Sequence, residues 1–324
     1  MDKIKTQIHE KLKTAESIID IIDTYNLLIT HLNSIDNKKR LPLDSKIFIY
    51  LFRTLNRQYI EFKIPKKAGG EREICAPKKQ LKHLQKNFAI IIGMYYEPNN
   101  YCHGFIRERS IVTNAERHTN KNYVLNVDIQ DFFPSIKHHR IFKALTQAPF
   151  EISEFAANII ARIACKEGAL PQGSPMSPII SNLCCNQLDI DLSQFAKKHK
   201  LDYTRYADDI TFSGYRPIFD SNFFTDLNKI VRRKHNFRLK KSKTRILSKN
   251  KRQEVTGITV NDKMNVNRTY IRNLRAQIHY LHSGKAEKNA ESVISGKLEF
   301  LKMVKGKDRV YRNLYKQFKT QKNE

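Results

Sequence analysis

Tyr206-Ala207-Asp208-Asp209 puts two carboxylates next to each other in the chain. Around them Tyr203, Tyr206, Ile210 and Phe212 are interspersed with polar residues, a strand-like pattern. Two acids at the bend of a short hairpin repel, and each raises the pKa of the other. A divalent cation would remove that cost. Such a stretch is either a solvated turn, where Asp is common, or a hairpin carrying metal carboxylates at its tip. A third acid favours the second reading. Asp128 closes the apolar run Tyr123-Val-Leu-Asn-Val127, where a charge needs a partner. If the strands ending at Asp128 and Asp208 lie side by side in one antiparallel sheet, three carboxylates meet at one end. Such a trio can hold two Mg²⁺ ions about 4 Å apart, an arrangement suited to in-line displacement at phosphorus. One ion would activate the attacking hydroxyl and the other would steady a leaving pyrophosphate.

Periodicity supplies the elements that must position these acids. Residues 1 to about 58 read as helices: Ile4, Ile8 and Leu12 share a face, and Ile18, Ile19 and Ile22 continue an apolar stripe. Leu41-Pro-Leu-Asp-Ser45 interrupts them, with Ser45 the predicted cap of a helix over Lys46 to Leu55. Strands at Tyr59 to Ile64 and Arg72 to Ala76 flank the glycine turn Lys66-Lys-Ala-Gly-Gly70. Phe132 and Phe133 fall in a segment read as extended, where alternation lets only one ring enter the core. Gly168-Ala-Leu-Pro-Gln-Gly-Ser-Pro-Met-Ser-Pro178 is too rich in Gly and Pro to be a core element. It reads as a loop entering a helix N-terminus, which suits a substrate approaching backbone N–H groups. Glu254 to Val260 and Met264 to Val266 read as a hairpin joined by Asn261-Asp262. The tail is helical, with Ile271, Leu274, Ile278 and Leu281 on one face.

The composition narrows the partners. The 324 residues carry a formal net charge of +27, enough chain for two or three subdomains. From Val231 onward there are 26 Lys and Arg against 7 Asp and Glu, so most of the excess lies in the tail. A surface this cationic suggests nucleic acid. A membrane surface is disfavoured by the lack of Trp and of a long basic amphipathic helix with bulky anchors. No apolar h-region follows Met1 and no run reaches membrane-spanning length. Cys75, Cys102, Cys165, Cys184 and Cys185 form no CxxC pair and read as reduced thiols, so a cytoplasmic location is expected.

Taken in order, these stretches resemble the reverse transcriptases, and among them the retron reverse transcriptases of bacteria, from about Lys63 to Lys305. Arg72-Glu-Ile-Cys-Ala-Pro77 resembles the fingers strand. His103-Gly-Phe-Ile and Asn114-Ala-x-x-His118 resemble the next block, in its retron form. Asp128 to Ile136, Leu170 to Asn182 and Tyr206 to Asp209 resemble the first acidic block, the Pro-Gln-Gly block and the catalytic hairpin. Phe237 to Thr244 and Val255-Thr256-Gly257 follow in the expected sequence. The resemblance implies an α+β right-hand polymerase fold. Its parts would be an N-terminal helical extension over 1–58, fingers over 59–122 with part of 137–170 interleaved, a palm over 123–266 with an antiparallel sheet backed by helices, and a basic helical thumb over 267–324.

It also implies roles. Asp128, Asp208 and Asp209 would be catalytic and bind metal, with the backbone carbonyl of Ile129 completing a shell around two Mg²⁺. Lys66 or Lys67, with Arg72, would hold a triphosphate; Phe133 would lie beneath the incoming sugar; Gln172 and Gly173 would line the nucleotide pocket. Lys243 could aid pyrophosphate departure. Asn114, His118, Val255, Thr256 and Gly257 would contact nucleic acid, as would Arg268, Arg272 and Arg275, which recur at helical spacing. The implied activity is RNA-directed DNA synthesis from dNTPs on a cognate structured non-coding RNA. Priming from a 2′-hydroxyl of that RNA would give a branched RNA–DNA, in an anti-phage system with a separate effector protein. The alternative is a group II intron-like or other stand-alone bacterial reverse transcriptase; the roughly 60 residues after the Val-Thr-Gly stretch argue against the intron enzymes, which usually carry long extensions. A scaffold whose catalysis has decayed and a metal nuclease are further readings; retention of all three acids disfavours the first.

Overall fold

The computed structural model describes residues 2–36, 39–66, 69–284 and 287–320. Three helices come first: α1 (Asp2–Thr14), α2 (Ile18–Asp36) and α3 (Ser45–Arg53). Their apolar stripes bury Ile8, Leu12, Ile21, Leu28, Phe48 and Leu51. The cap of α3 is Asp44 rather than Ser45. The backbone of Asp44 is extended and its carboxylate accepts from Ile47 N at 3.1 Å, so Ser45 is already inside the helix. The antiparallel hairpin β1 (Tyr59–Pro65) and β2 (Glu71–Pro77) follows, with Tyr59 opposite Pro77. Next are α4 (Lys79–Tyr95), the short α5 (Ile111–Glu116) and β3 (Tyr123–Asp128).

Beyond β3 the chain coils into α6 (Phe132–Ser135), α7 (His138–Thr146), α8 (Glu154–Ala164) and the long α9 (Ser177–Lys198). The Phe132–Phe133 segment is thus a helical turn, not an extended stretch. Asp131 reverses the chain at φ 46°, and helical rotation buries Phe132 while leaving Phe133 half-buried. Strands β4 (Asp202–Tyr206) and β5 (Asp209–Gly214) form the expected hairpin, followed by α10 (Ser221–Asn228) and β6 (Arg245–Ser248). The run from Glu254 to Val260 is broken where it was read as one strand. Thr256 and Gly257 both take positive φ, 47° and 85°, and turn β7 (Glu254–Val255) back onto β8 (Ile258–Thr259). Helices α11 (Arg268–His282), α12 (Ala290–Lys305) and α13 (Arg309–Thr320) complete the chain.

These elements form two compact units. One comprises Met1–Asn99 and Gln130–Leu188, and so contains the first hairpin and the Pro-Gln-Gly loop. The other comprises Asn100–Ile129 and Asp189–Glu324. Its centre is an antiparallel sheet in the order β4-β5-β3-β6. Behind the sheet Phe195 of α9 and Phe223 of α10 pack edge-on against Phe212 of β5. The tail helices share a core in which Leu274, Ile278, Leu298, Leu301, Leu314 and Phe318 are buried with Val255 and Ile258. Among the described residues no helix is long and apolar enough to cross a membrane.

Candidate active site

The sheet register brings the acids together. Asp128, the last residue of β3, lies directly opposite Asp209, the first of β5, and Asp208 sits in the turn that joins β4 to β5. Like charges directly opposite destabilise an antiparallel pair. Solvent reaches Asp209, yet desolvation by the surrounding protein, followed by the charges of Asp208 and Asp128, pushes its carboxyl up to about 7, against the pull of Lys243. Asp128 is only 5% exposed, and its Oδ2 takes the ammonium of Lys243. Partial burial opposes the charge on Lys243, but the hydrogen bond to Asp128 and the nearby acids outweigh it and raise its pKa. Lys243, which the resemblance offers as an aid to pyrophosphate departure, lies in this structure against the acids.

The donors are hard carboxylate oxygens, with Lys243 set against Asp128. That set fits Mg²⁺ better than a softer metal. A second group, Glu61, Glu73 and Cys75, has ligand atoms within 4.8 Å of one another; Asp128, Asp208 and Asp209 are spaced more widely than that. The Glu61 group lies on the open β1–β2 hairpin, where Lys166 already pairs with Glu61 at 2.8 Å.

The residues expected around a nucleotide belong to the other unit. There the Pro-Gln-Gly loop is fastened to β2: Cys75 N donates to Gln172 O at 2.8 Å. Gly173 is at φ 120°, and a Cβ on it would come within 3.0 Å of Cys75 O, so only glycine lets the loop lie this close. Gln85 of α4, fully buried, supports the loop from behind. It accepts from Ser174 Oγ and donates to Tyr59 Oη and Ile163 O, each at 2.8 Å. Sequence reading missed Gln85; a lone amide in an otherwise apolar helix stripe was its only signal. Gln172 is half-buried, and Lys66 and Arg72 are exposed at the end of the hairpin. Lys67 lies outside the described residues.

The model for the reverse transcriptases (RNA-dependent DNA polymerases) matches residues 64–260, more than half of the chain. The protein belongs to the reverse transcriptase family. Its α+β architecture is accordingly the right-hand polymerase fold. The retron Mx162 reverse transcriptase of Myxococcus xanthus is 34% identical over 76% of this chain and 57% of its own length. The retron Mx65 reverse transcriptase of the same organism is 30% identical over 76% of this chain and 62% of its own. The retron Ec86 reverse transcriptase of Escherichia coli is 27% identical over 91% and 92%. The chain thus spans about three fifths of the length of the two Myxococcus relatives.

In this reverse transcriptase the two retron-like signatures meet. Asn114 Nδ2 donates to Thr256 Oγ1 at 3.4 Å, and Thr256 Oγ1 donates to Ile111 O at 3.2 Å. Asn114 is 1% exposed and Val255 is fully buried, while Gly257 is open to solvent. His118 is fully buried, with Nδ1 and Nε2 each 2.7 Å from a hydroxyl, on Ser213 and Thr204. Burial first, and neighbouring positive charge second, holds its pKa down at about 3, so the ring is neutral. As placed here, Asn114, His118 and Val255 tie α5 to the hairpin and the sheet, and their side chains are turned inward. Arg268, Arg272 and Arg275 are exposed along α11. Ile129 is buried, and its N–H donates to Asp208 O at 2.9 Å.

Proposed function

We propose that the protein is an RNA-directed DNA polymerase. The observation that carries this reading is the convergence of Asp128, Asp208 and Asp209 at one end of the sheet, within the segment that matches the family. Asp128, Asp208 and Asp209, with the carbonyl of Ile129, would hold two Mg²⁺. Bound there, the ions would lower the pKa of a primer hydroxyl and neutralise charge developing on the phosphate. The chain's own residues do the rest. Lys243, already on Asp128, supplies a mobile positive charge beside the acids. Arg72, with Lys66 or Lys67, would take the triphosphate of a dNTP. Gln172 and Gly173 would line its base and sugar, and the ring of Phe133 would fill the space a 2′-hydroxyl needs. With these assignments goes a division into extension (1–58), fingers (59–122, with part of 137–170 interleaved), palm (123–266) and thumb (267–324).

The finer reading is a retron enzyme. Supporting it are the likeness to the Ec86 enzyme along nearly the full length of both chains and the pairing of Asn114 with Thr256. On this reading the enzyme copies part of a cognate non-coding RNA from an internal 2′-hydroxyl, giving a branched RNA–DNA, and serves phage defence in the cytoplasm beside an effector protein. In this role Gly257 and the exposed arginines of α11 are better placed to meet RNA than the inward-turned Asn114, His118 and Val255.

Purified protein, an RNA template with an annealed DNA primer, dNTPs and Mg²⁺ test the polymerase reading. Extension is expected for the wild type and none for Asp208→Asn. An Asp208→Asn variant that extends at the wild-type rate would remove the site assignment. Extraction of nucleic acid from cells expressing the gene with its flanking DNA tests the finer reading: a debranching-sensitive RNA–DNA species is expected, and linear DNA alone would favour a stand-alone enzyme.

A further inference from the structure

We infer that Arg205, anchored by Asp189, is a positioning residue that sets the orientation of Asp208; this rests on the polymerase reading above. Arg205 lies in β4, in the same hairpin as the acids, and is fully buried, as is Asp189 of α9. Its Nε and Nη2 donate to the two carboxylate oxygens of Asp189, both at 2.7 Å. Tyr203 Oη donates to Asp189 Oδ1 at 2.8 Å, so the acid is matched from two directions. The remaining arm, Nη1, donates to Ala207 O at 3.2 Å.

That last bond is the informative one. The Ala207 carbonyl belongs to the peptide unit that leads into Asp208, and a peptide unit is planar. Fixing its oxygen fixes the plane from which Asp208 departs. The carbonyl of Asp208 itself accepts from Ile129 N at 2.9 Å, which fixes the plane on the other side. Asp208 is therefore held between two pinned peptides, one pinned by Arg205 and one by β3. The turn needs such support. Ala207 is at φ 56°, a left-handed conformation that residues with a Cβ seldom adopt without compensation. Gly104 closes the other side: a Cβ there would lie 2.5 Å from Ala207 N. The segment carrying Gly104 is aligned by Arg205 as well, through Arg205 N to Tyr101 O and His103 N to Arg205 O, both at 2.8 Å.

A bland alternative is that the pair merely stabilises the unit. Against it, a buried ion pair seldom gains over an apolar pair of equal volume, so stability alone does not account for the pair. The fork of a guanidinium can hold a carboxylate with two nitrogens and a carbonyl with the third; an ammonium offers one nitrogen and cannot span both.

The test uses the full chain as wild type, Arg205→Lys, and the paired apolar variant Arg205→Met/Asp189→Leu. Arg205→Lys keeps a buried ion pair and cuts the tether to Ala207. Melting curves establish folding, and primer extension on an RNA template is titrated separately with Mg²⁺ and dNTP. For both variants kcat should fall at least ~10-fold, with KM for dNTP within ~2-fold of wild type, the signature of a group acting at the chemical step. The Mg²⁺ concentration for half-maximal rate should rise several-fold. Wild-type kcat and Mg²⁺ requirement in a folded variant would overturn the inference. So would a kcat loss that tracks the loss of melting temperature and leaves the Mg²⁺ requirement untouched. If the paired variant does not fold, Arg205→Lys decides alone. Asp208→Asn, run alongside, separates the two layers: activity in that variant would sink the polymerase site, whereas activity in Arg205→Lys sinks only the positioning role.

Discussion

Asp189 and Asp209 belong to the same unit and have opposite electrostatic surroundings. Asp189 has no exposed surface and is matched by two nitrogens of Arg205 and the hydroxyl of Tyr203. Asp209 reaches solvent, faces Asp128 across the sheet and neighbours Asp208, and keeps its proton up to about 7. The first carboxylate has all it needs from the protein. The second is placed where the protein alone leaves negative charge in excess, which is what a cation-binding site requires before the cation arrives. Local instability at one end of the sheet is tolerated because the adjoining network is tightly satisfied, the usual compromise between stability and activity.

The strongest way to break this contrast is Asp209→Asn. DNA synthesis should drop by more than ~10³-fold, about 4 kcal/mol of transition-state stabilisation. Its metal-free melting temperature should nonetheless match or exceed that of wild type, because a repelling charge has gone. A clear fall in melting temperature would mean that Asp209 is a structural acid after all. Asp189→Ala should do the reverse to stability. It leaves the Arg205 guanidinium buried without a counter-charge and should cost about 3–5 kcal/mol in urea unfolding.

The contrast also has a pH signature. The folded-state pKa of Asp209 is raised, so its contribution to stability is present below about 4 and is lost as pH rises to about 7. Without divalent ions, Asp209→Asn should flatten that part of the stability–pH curve, and added Mg²⁺ should do likewise in wild type. His118 contributes with opposite sign. Its folded pKa is depressed to about 3, so its contribution is present above about 6.5 and is lost as pH falls toward 3. His118→Gln should remove that acid limb; an unchanged limb would reassign it to other groups.

Phe132 and Phe133 differ in burial in the same way. Phe132 is 5% exposed and Phe133 half-buried. Phe133→Ala should raise ribonucleotide use relative to deoxynucleotide by at least ~10-fold, about 1.4 kcal/mol of discrimination. Phe132→Ala should instead lower stability, with sugar preference unchanged. Single-nucleotide extension with matched dNTP and rNTP decides between them, and the reverse outcome would shift the assignment by one residue. The smallest expected effect is on the exposed cations of α11. Replacing Arg268, Arg272 and Arg275 together by Gln should flatten the dependence of RNA affinity on salt by at most ~0.7–0.9 log units for each phosphate no longer neutralised. An unchanged slope would place the RNA elsewhere.

The sequence by itself determined the family, the order of its blocks and the three acids. Those depend on residue types at short spacing, and strand alternation around Asp208 and Asp209 was enough to make a hairpin of them. It also required that only one of Phe132 and Phe133 enter the core, although by the wrong geometry: the segment coils where an extended one was expected, and helical rotation buries Phe132. Local reading failed where backbone conformation turns on one residue, as at Asp44, which caps in place of Ser45, and at Thr256–Gly257, which turns a run expected to continue. Only the tertiary structure decided which polar residues find partners inside the protein. His118 reads as a ligand-binding residue in a linear motif, but both its ring nitrogens are met by hydroxyls of distant strands, on Ser213 and Thr204, whereas Asn114 pairs its Nδ2 with Thr256 and keeps a buried Oδ1 without a partner among the described residues. Arg205 could not be distinguished from any strand arginine until Asp189 of α9 and the Ala207 carbonyl were placed against it. The physical reason is the same throughout. A charge or an amide is costly or harmless according to what faces it, and what faces it is fixed by the packing of elements far apart in the chain.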